Sequence, residues 1–325
     1  MRAIVRDGYG GVDGMRLEET ERPSPARGEV LVRVEASSIN AADWIDLSGK
    51  PYAARLMTGL IRPKWRVPGR DVVGIVEATG EGVTRFDCGD RVFGQLDGGA
   101  YASYARCPED RVVRAPDGVT PEVLATLPLA GVTAMQALRL RGAMGSGERV
   151  LVNGAAGSVG GWTVQIALSM GVEVHAVCSG ASAGFVRGLG ASRVFDYTRE
   201  DVCASGERYE RVIDLVGNRR MRAWRGLLTK RGVFVAASGG LEREVVGPFV
   251  DLARVLVADR LGTQRFAPLI STPDRAILDE LGAMAADGRL SSTITRRVTL
   301  EGLADAMREQ GTGHARGKTV VLVQA

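Results

Sequence analysis

The 325-residue sequence is poor in the residues that build metal centres. It has four cysteines, Cys88, Cys107, Cys178 and Cys203, with no C-x-x-C pair and no Cys/His cluster. That spread argues against a disulfide framework and against a structural zinc site, which needs thiolate or imidazole ligands gathered together. Two histidines, His175 and His314, cannot supply a His-rich metal centre. No apolar run approaches the ~20 residues needed to span a bilayer. The N-terminal MRAIVRDGYGGVDG has no apolar core, so no signal peptide is expected. Lysine is scarce too, at four residues (Lys50, Lys64, Lys230 and Lys318). No Lys/Arg tract is present to track a nucleic-acid backbone. Free thiols suit a reducing cytosol. These absences lead to the expectation of a cytoplasmic protein with no metal, no nucleic-acid partner and no membrane partner.

What is present is ordinary for a globular chain. Hydrophobic residues make up 45% and charged residues 25%, with a net charge of +4. At about 150 residues per domain, the length suggests two domains. The pattern changes near residue 120. Before it, Ala3–Arg6, Glu29–Ala36, Asp71–Thr79, Asp90–Phe93 and Ala100–Cys107 read as strands punctuated by prolines. After it, strands and helices alternate: strands Arg149–Asn153, Glu173–Cys178, Arg193–Phe195, Glu210–Leu215 and Gly232–Ala236, with helices over Ser158–Met170, Ser182–Leu189 and Asn218–Thr229. That rhythm predicts an α/β fold with a doubly wound parallel sheet. Pro273–Ala286 and Leu300–Glu309 read as helices and Thr319–Val323 as a closing strand. The resulting expectation is a β-rich domain over 1–121, a nucleotide-binding domain over 122–265 and a return to the first domain over 266–325.

The strongest local signal runs from Val150 to Gly160. An apolar strand leads into Gly154, Ala155, Ala156, Gly157, Ser158, Val159 and Gly160, and then into an apolar-periodic helix. Glycine lets the backbone turn sharply and approach a phosphate, and the helix start offers N–H groups and a positive dipole end. The bland alternative is a tight strand–helix turn. The next strand ends at Cys178-Ser179-Gly180 with no Asp or Glu to accept from a ribose 2′-hydroxyl, which favours NADP(H) over NAD. Ser179 and Tyr197 are candidates for a 2′-phosphate, or else a turn residue and a packing residue.

Several further segments, taken in order, carry a resemblance. They are Ser38-Ile-Asn-Ala-Ala-Asp-Trp44, Pro68-Gly-Arg-Asp-Val-Val-Gly74, Cys88-Gly-Asp-Arg-Val-Phe-Gly94, Leu127-Pro-Leu-Ala-Gly-Val-Thr-Ala134, Asp214-Leu-Val-Gly217 and Gly313-His-Ala-Arg-Gly-Lys318. With the glycine turn and Leu189–Tyr197, they make the chain resemble a zinc-lacking member of the medium-chain dehydrogenase/reductase superfamily, in its quinone oxidoreductase branch. The resemblance implies a GroES-like catalytic domain built from both termini, a central Rossmann domain, a cleft between them, and a homodimer formed through an edge strand near 240–265. Zinc alcohol dehydrogenases place a Cys and a His where this chain has Asn40 and Arg70, and neither Asn nor Arg replaces a thiolate or an imidazole.

Without a Lewis acid, adding hydride to a conjugated carbon–carbon double bond is the easier reaction. The charge appears on a carbonyl oxygen that a few placed donors can stabilise. The expected function is therefore an NADPH-dependent reductase of an α,β-unsaturated carbonyl or a quinone. The alternatives are a pathway enzyme coupling reduction to ring closure and a non-catalytic NADPH-binding protein.

The resemblance implies several residue roles. Asn40 hydrogen-bonds the substrate carbonyl, or else caps a turn. The tyrosine that the family carries soon after this Asn is Ile45 here, and Tyr52 is a candidate proton donor only as the one phenol in the Ser48–Arg66 stretch. Arg70 is either a cation at the cleft or a partner of Asp71. Thr133, Val216, Gly217, Ser238, Gly239, Arg316 and Lys318 are expected at the cofactor. The apolar stretch Leu56–Lys64 reads either as a lid or substrate wall, or as a surface helix.

Overall fold

The computed structural model describes residues 1–237, 247–260 and 262–323, with backbone alone over 247–252. In chain order the first elements are β1 (Arg2–Val5), β2 (Arg16–Glu19), β3 (Glu29–Ser38), α1 (Ala41–Ser48), α2 (Arg55–Thr58), β4 (Asp71–Thr79), β5 (Arg91–Gln95), β6 (Tyr104–Pro108), β7 (Val112–Arg114), α3 (Pro121–Leu124) and α4 (Pro128–Arg139). The middle of the chain forms β8 (Arg149–Asn153), α5 (Ser158–Ser169), β9 (Glu173–Cys178), α6 (Gly180–Gly188), β10 (Arg193–Asp196), β11 (Tyr209–Asp214), α7 (Met221–Leu227), β12 (Leu228–Ala236), α8 (Gly247–Asp259) and β13 (Arg265–Pro268). The tail adds α9 (Arg275–Ala286), β14 (Ile294–Thr299), α10 (Leu303–Gly311) and β15 (Lys318–Leu322). The chain divides into two compact units. One comprises residues 1–132, 273–288 and 292–325; the other comprises 133–272 with 289–291.

The first unit is β-rich. Among the described residues its larger sheet runs β14-β15-β3-β4-β5-β7 with β6 also on β3, while β1 and β2 pair separately. The long β3 organises it. Val30, Val32, Val34 and Ala36 alternate along one face, as strand geometry dictates, and are buried. The three valines pack with Val72, Val92, Leu303 and Val321. The tail strand β15 lies antiparallel to the end of β3, pairing Val320 with Ser38, so the C-terminal segment joins the larger sheet of the first unit.

The second unit is a parallel sheet in the order β10-β9-β8-β11-β12-β13. Numbered from its own first strand, this is the 3-2-1-4-5-6 order of a doubly wound dinucleotide fold. Its strand order reverses between β8 and β11, and a ligand crevice forms outside the carboxyl ends of strands at such a reversal. Around the core, Trp224 stacks on Phe234 at 5.9 Å between centroids, and Phe234 meets Phe266 at 5.3 Å.

Two expectations are corrected. The helix expected over 218–229 is shorter, because Leu228 and Thr229 already belong to β12. The edge strand of the parallel sheet is Arg265–Pro268, whereas the described part of 240–265 is largely the helix α8. Pro268 fits there because a sheet edge tolerates a residue without an N–H donor. Residues 238–246 and 261 lie outside the described residues.

Trp224 has no accessible surface. Trp224→Ala is expected to cost about 3–5 kcal/mol through lost burial and the cavity left behind. A urea melt followed by circular dichroism measures it.

Candidate functional site

The carboxyl edge of the parallel sheet is built by glycine. Gly154, at the end of β8, has φ +87°, and a Cβ there would stand 2.8 Å from the Val216 side chain. At Gly160, inside the first turn of α5, a Cβ would stand 2.3 Å from the Gly154 carbonyl oxygen. Both positions exclude larger residues, and the turn between strand and helix stays tight. Gly157 is the N-cap of α5 and brings no side chain to cap it. The first-turn N–H groups and the dipole end suit an anion. Asn153 Nδ2 donates to Asp214 Oδ1 at 2.8 Å, tying β8 to β11 across the reversal point. The same carboxylate oxygen accepts from the N–H of Val216 at 3.1 Å and of Gly217 at 3.0 Å, fixing that loop beside the glycine turn. These residues fit a dinucleotide pyrophosphate: a Cβ would fill the cradle, and the helix end needs an anion.

The end of β9 carries Ser179 as the N-cap of α6. Ser179 Oγ donates to Ser182 Oγ at 3.4 Å. Tyr197 follows β10 and is exposed. Between them Asp196 accepts from Thr198 N–H at 3.0 Å and from the Thr198 hydroxyl at 2.8 Å. The Thr198 bonds hold its carboxyl below the usual range. Thr133 donates to Ser271 Oγ at 2.8 Å. The expected contacts at Ser238 and Gly239 lie outside the described residues.

In the first unit the sequence-predicted Asn40 and Lys318 meet in a buried polar network. Lys318 has no accessible surface. Its Nζ donates to Asn40 Oδ1 at 2.6 Å, to Asp71 Oδ2 at 3.2 Å and to the Ile39 carbonyl at 3.3 Å. Asn40 Nδ2 donates to Asp71 Oδ2 at 2.9 Å and to Asp43 Oδ2 at 3.2 Å. Ser38 Oγ also donates to Asp71 Oδ2, and the N–H of Leu129 donates to Asp71 Oδ1 at 2.9 Å. Asp43 accepts from the Asn40 N–H at 2.8 Å and so closes the first turn of α1.

Two expected roles are corrected. Both donors of Asn40 are spent inside the protein, leaving none for a substrate carbonyl. All three protons of Lys318 are spent as well, which leaves none for a cofactor. The turn-capping alternative for Asn40 is what the structure shows.

Arg70 pairs with Asp46 rather than with Asp71: Nε and Nη2 reach Asp46 Oδ2 at 3.0 and 2.6 Å. Burial opposes the charge on Arg70, but Asp46 and Asp43 together raise its pKa. Tyr52 is exposed, with Arg55 over its ring at 4.8 Å. Arg316 sits in the turn before β15, where its carbonyl accepts from Thr295. Sequence reading missed Asp71 and Asp46 as the anchors of this network. The signal available was the spacing of Asn40 and Asp43, which marks a helix start.

Residues 26–117 match the alcohol dehydrogenase GroES-like domain and residues 189–321 the zinc-binding dehydrogenase family. The chloroplastic quinone-oxidoreductase QR1 of Triphysaria versicolor is 31% identical over 99% of this chain and 98% of its own. The chain belongs to the quinone oxidoreductase branch of the medium-chain dehydrogenase/reductase superfamily. It is accordingly an oxidoreductase. The quinone oxidoreductase from Coxiella burnetii superposes with a TM-score of 0.88 at 28% identity, covering 100% of this chain and 99% of that one. The chloroplastic NADPH-dependent alkenal/one oxidoreductase of Arabidopsis thaliana is 28% identical over 99% of this chain and 79% of its own.

A zinc-binding family name raises the question of a metal. The residues present do not fit one. Asn40 is consumed by Asp43, Asp71 and Lys318, and Arg70 brings a cation to the second position. Among the described residues no group of three His, Cys, Asp or Glu side chains is placed to hold a metal ion.

Two measurements test the network. Lys318→Met strands the buried Asp71 carboxylate and is expected to cost about 3–5 kcal/mol in a urea melt. Burial raises the Asp43 pKa from 3.8 to about 6. The folded state therefore keeps this proton between those values while the unfolded chain has lost it. The resulting stabilisation is present below pH 3.8 and disappears as pH rises through 6. Asp43→Asn removes the titration, so its stability relative to the native chain is expected to rise between pH 4 and 7, by about 3 kcal/mol at the limit. A flat difference contradicts this assignment.

Proposed function

We propose that the protein is an NADPH-dependent reductase that delivers hydride to the carbon–carbon double bond of an α,β-unsaturated carbonyl or a quinone. The observation that carries this reading is the glycine-lined turn Gly154–Gly160 at the strand reversal, followed by a β9 end whose own residues, Cys178 and Ser179, are not acidic, although the Asp196 carboxylate of β10 lies against Gly180 beside them. Bound reduced nicotinamide dinucleotide supplies the hydride. The N-terminus of α5 and the backbone at Ala155, Ala156, Ser158 and Val159 would hold the pyrophosphate, with Val216 and Gly217 beside it. Ser179 and the exposed Tyr197 hydroxyl would read the 2′-phosphate. Thr133 would lie toward the nicotinamide.

On the substrate side, Tyr52 remains the candidate proton donor, its side chain being exposed. Asn40 acts there as a positioning residue, holding the start of α1. Conjugate reduction suits these groups, since an enolate oxygen needs only a placed donor. The name of the Arabidopsis relative supports both the cofactor and the substrate class. The free cysteines fit the reducing cytosol expected from the sequence. We also propose a homodimer, in which the exposed Leu256 and Val257 of α8 would be covered.

The test is loss of absorbance at the reduced-nicotinamide band with a panel of enones and quinones. Turnover with NADPH faster than with NADH is expected. Tyr197→Phe is expected to raise the KM for NADPH about tenfold and leave that for NADH unchanged, as loss of one hydrogen bond to a charged group requires. Gly160→Val is expected to abolish binding of both cofactors. Tight NADPH binding without turnover across the panel contradicts the reductase reading.

A further inference from the structure

Residues 47–70 contain no Asp or Glu and six cations, Lys50, Arg55, Arg62, Lys64, Arg66 and Arg70. The same stretch exposes large apolar side chains side by side. Leu56 is 66% exposed, Met57 80%, Leu60 66% and Ile61 87%. Isolated exposed apolar residues are normal, but a contiguous group marks an interaction surface.

The loop is held in shape from below. Gly59, at φ +117°, turns the chain after the single turn of α2. The Lys64 N–H donates to the Thr58 carbonyl at 2.7 Å and closes the loop. The Tyr9 hydroxyl donates to the Gly59 carbonyl at 2.5 Å and pins the base. The apolar tip thus projects from a fixed frame.

Five of the six cations sort into two groups. Arg66 pairs with Asp7 and Glu18, Arg70 pairs with Asp46, and Arg55 lies over the Tyr9 ring at 4.4 Å. Arg62 and Lys64 follow the tip and form no ion pair among the described residues. The Lys64 ammonium lies 5.9 Å from the centroid of the half-exposed Trp65 ring.

An apolar tip followed by free cations and an amphipathic aromatic has the composition of a surface that enters the headgroup layer of an anionic bilayer. A second copy of the chain is a poorer occupant. A two-fold contact through this face would bring the Arg62 and Lys64 of both copies into one interface with no carboxylate in either loop to meet them.

We propose that the loop 55–66 docks the protein on anionic lipid surfaces, with Leu56, Met57, Leu60 and Ile61 entering the interface and Arg62 and Lys64 meeting lipid phosphates. This departs from the expectation of no membrane partner, which rested on the lack of a spanning segment. Among the described residues no helix is long and apolar enough to cross a membrane. Peripheral docking needs no such helix.

The test is co-sedimentation of the full chain with vesicles of phosphatidylcholine alone and of phosphatidylcholine with about one quarter phosphatidylglycerol. At least tenfold stronger partitioning to the anionic vesicles is expected, with loss of binding as salt is raised to about 0.5 M. R62E/K64E is expected to abolish it and L60S/I61S to weaken it about tenfold. K230E, at an exposed position outside the loop, leaves it unchanged. Circular dichroism melts confirm that each variant is folded. Equal partitioning to both vesicle types, or loop variants that bind like the native chain, overturns the proposal. So does sedimentation velocity showing a self-association that L60S/I61S removes without any vesicle binding. The readout uses neither cofactor nor substrate, so its failure is distinct from failure of the reductase reading.

Discussion

A single buried ammonium organises the first unit. Lys318 sits with no accessible surface between Asp71, Asn40 and the Ile39 carbonyl. A charge in that position is tolerable only when paired and fully hydrogen-bonded, and here it is. Through it the start of β15 is tied to the end of β3, to the start of α1 and to the start of β4. Asp71 extends the tie to the start of α4 through the Leu129 N–H. The start of α1 and the turn before β4 are where zinc alcohol dehydrogenases, by the sequence resemblance, place metal ligands. In this chain protein charges occupy that interior, and the arrangement leaves no thiolate or imidazole for a Lewis acid.

That constraint shapes the chemistry. Activation of a simple carbonyl or alcohol demands a strong electrophile. The proposed saturation of a conjugated double bond would demand only orientation and a modest donor. The second unit supplies its glycine turn by exclusion. Gly154 and Gly160 are required because Val216 and the Gly154 carbonyl already fill the space a side chain would need. The tie between Asn153 and Asp214 then sets the two sides of the reversal point at a fixed separation.

Much of the parallel sheet was legible because its strands are short apolar runs bounded by glycine. β8 and β9 fall where the pattern places them, and the glycine turn lies between β8 and α5 as expected. Elements with mixed patterns were harder. β14 reads Ile-Thr-Arg-Arg-Val-Thr, and its paired arginines hide a strand that lies at the sheet edge with those side chains in solvent. β13 ends on a proline, a residue that sheet interiors exclude, so its sequence carries little strand signal. At the site, Asn40 and Lys318 were both singled out as facing a ligand, whereas the structure buries both and bonds them to each other. Sequence spacing shows that residues belong to one motif. It does not show which of their hydrogen bonds the protein keeps for itself, and partners 278 positions apart, such as Lys318 and Asn40, carry no local signal.

The most direct test of metal-free conjugate reduction is where the hydride lands. NADPH deuterated at C4 is incubated with a cyclic enone, and the product is read by proton NMR and mass spectrometry with and without a strong chelator. The account predicts a saturated ketone carrying deuterium at the β-carbon, formed at the same rate in both conditions. An allylic alcohol with deuterium at the former carbonyl carbon, or a reaction that stops on chelation, contradicts it.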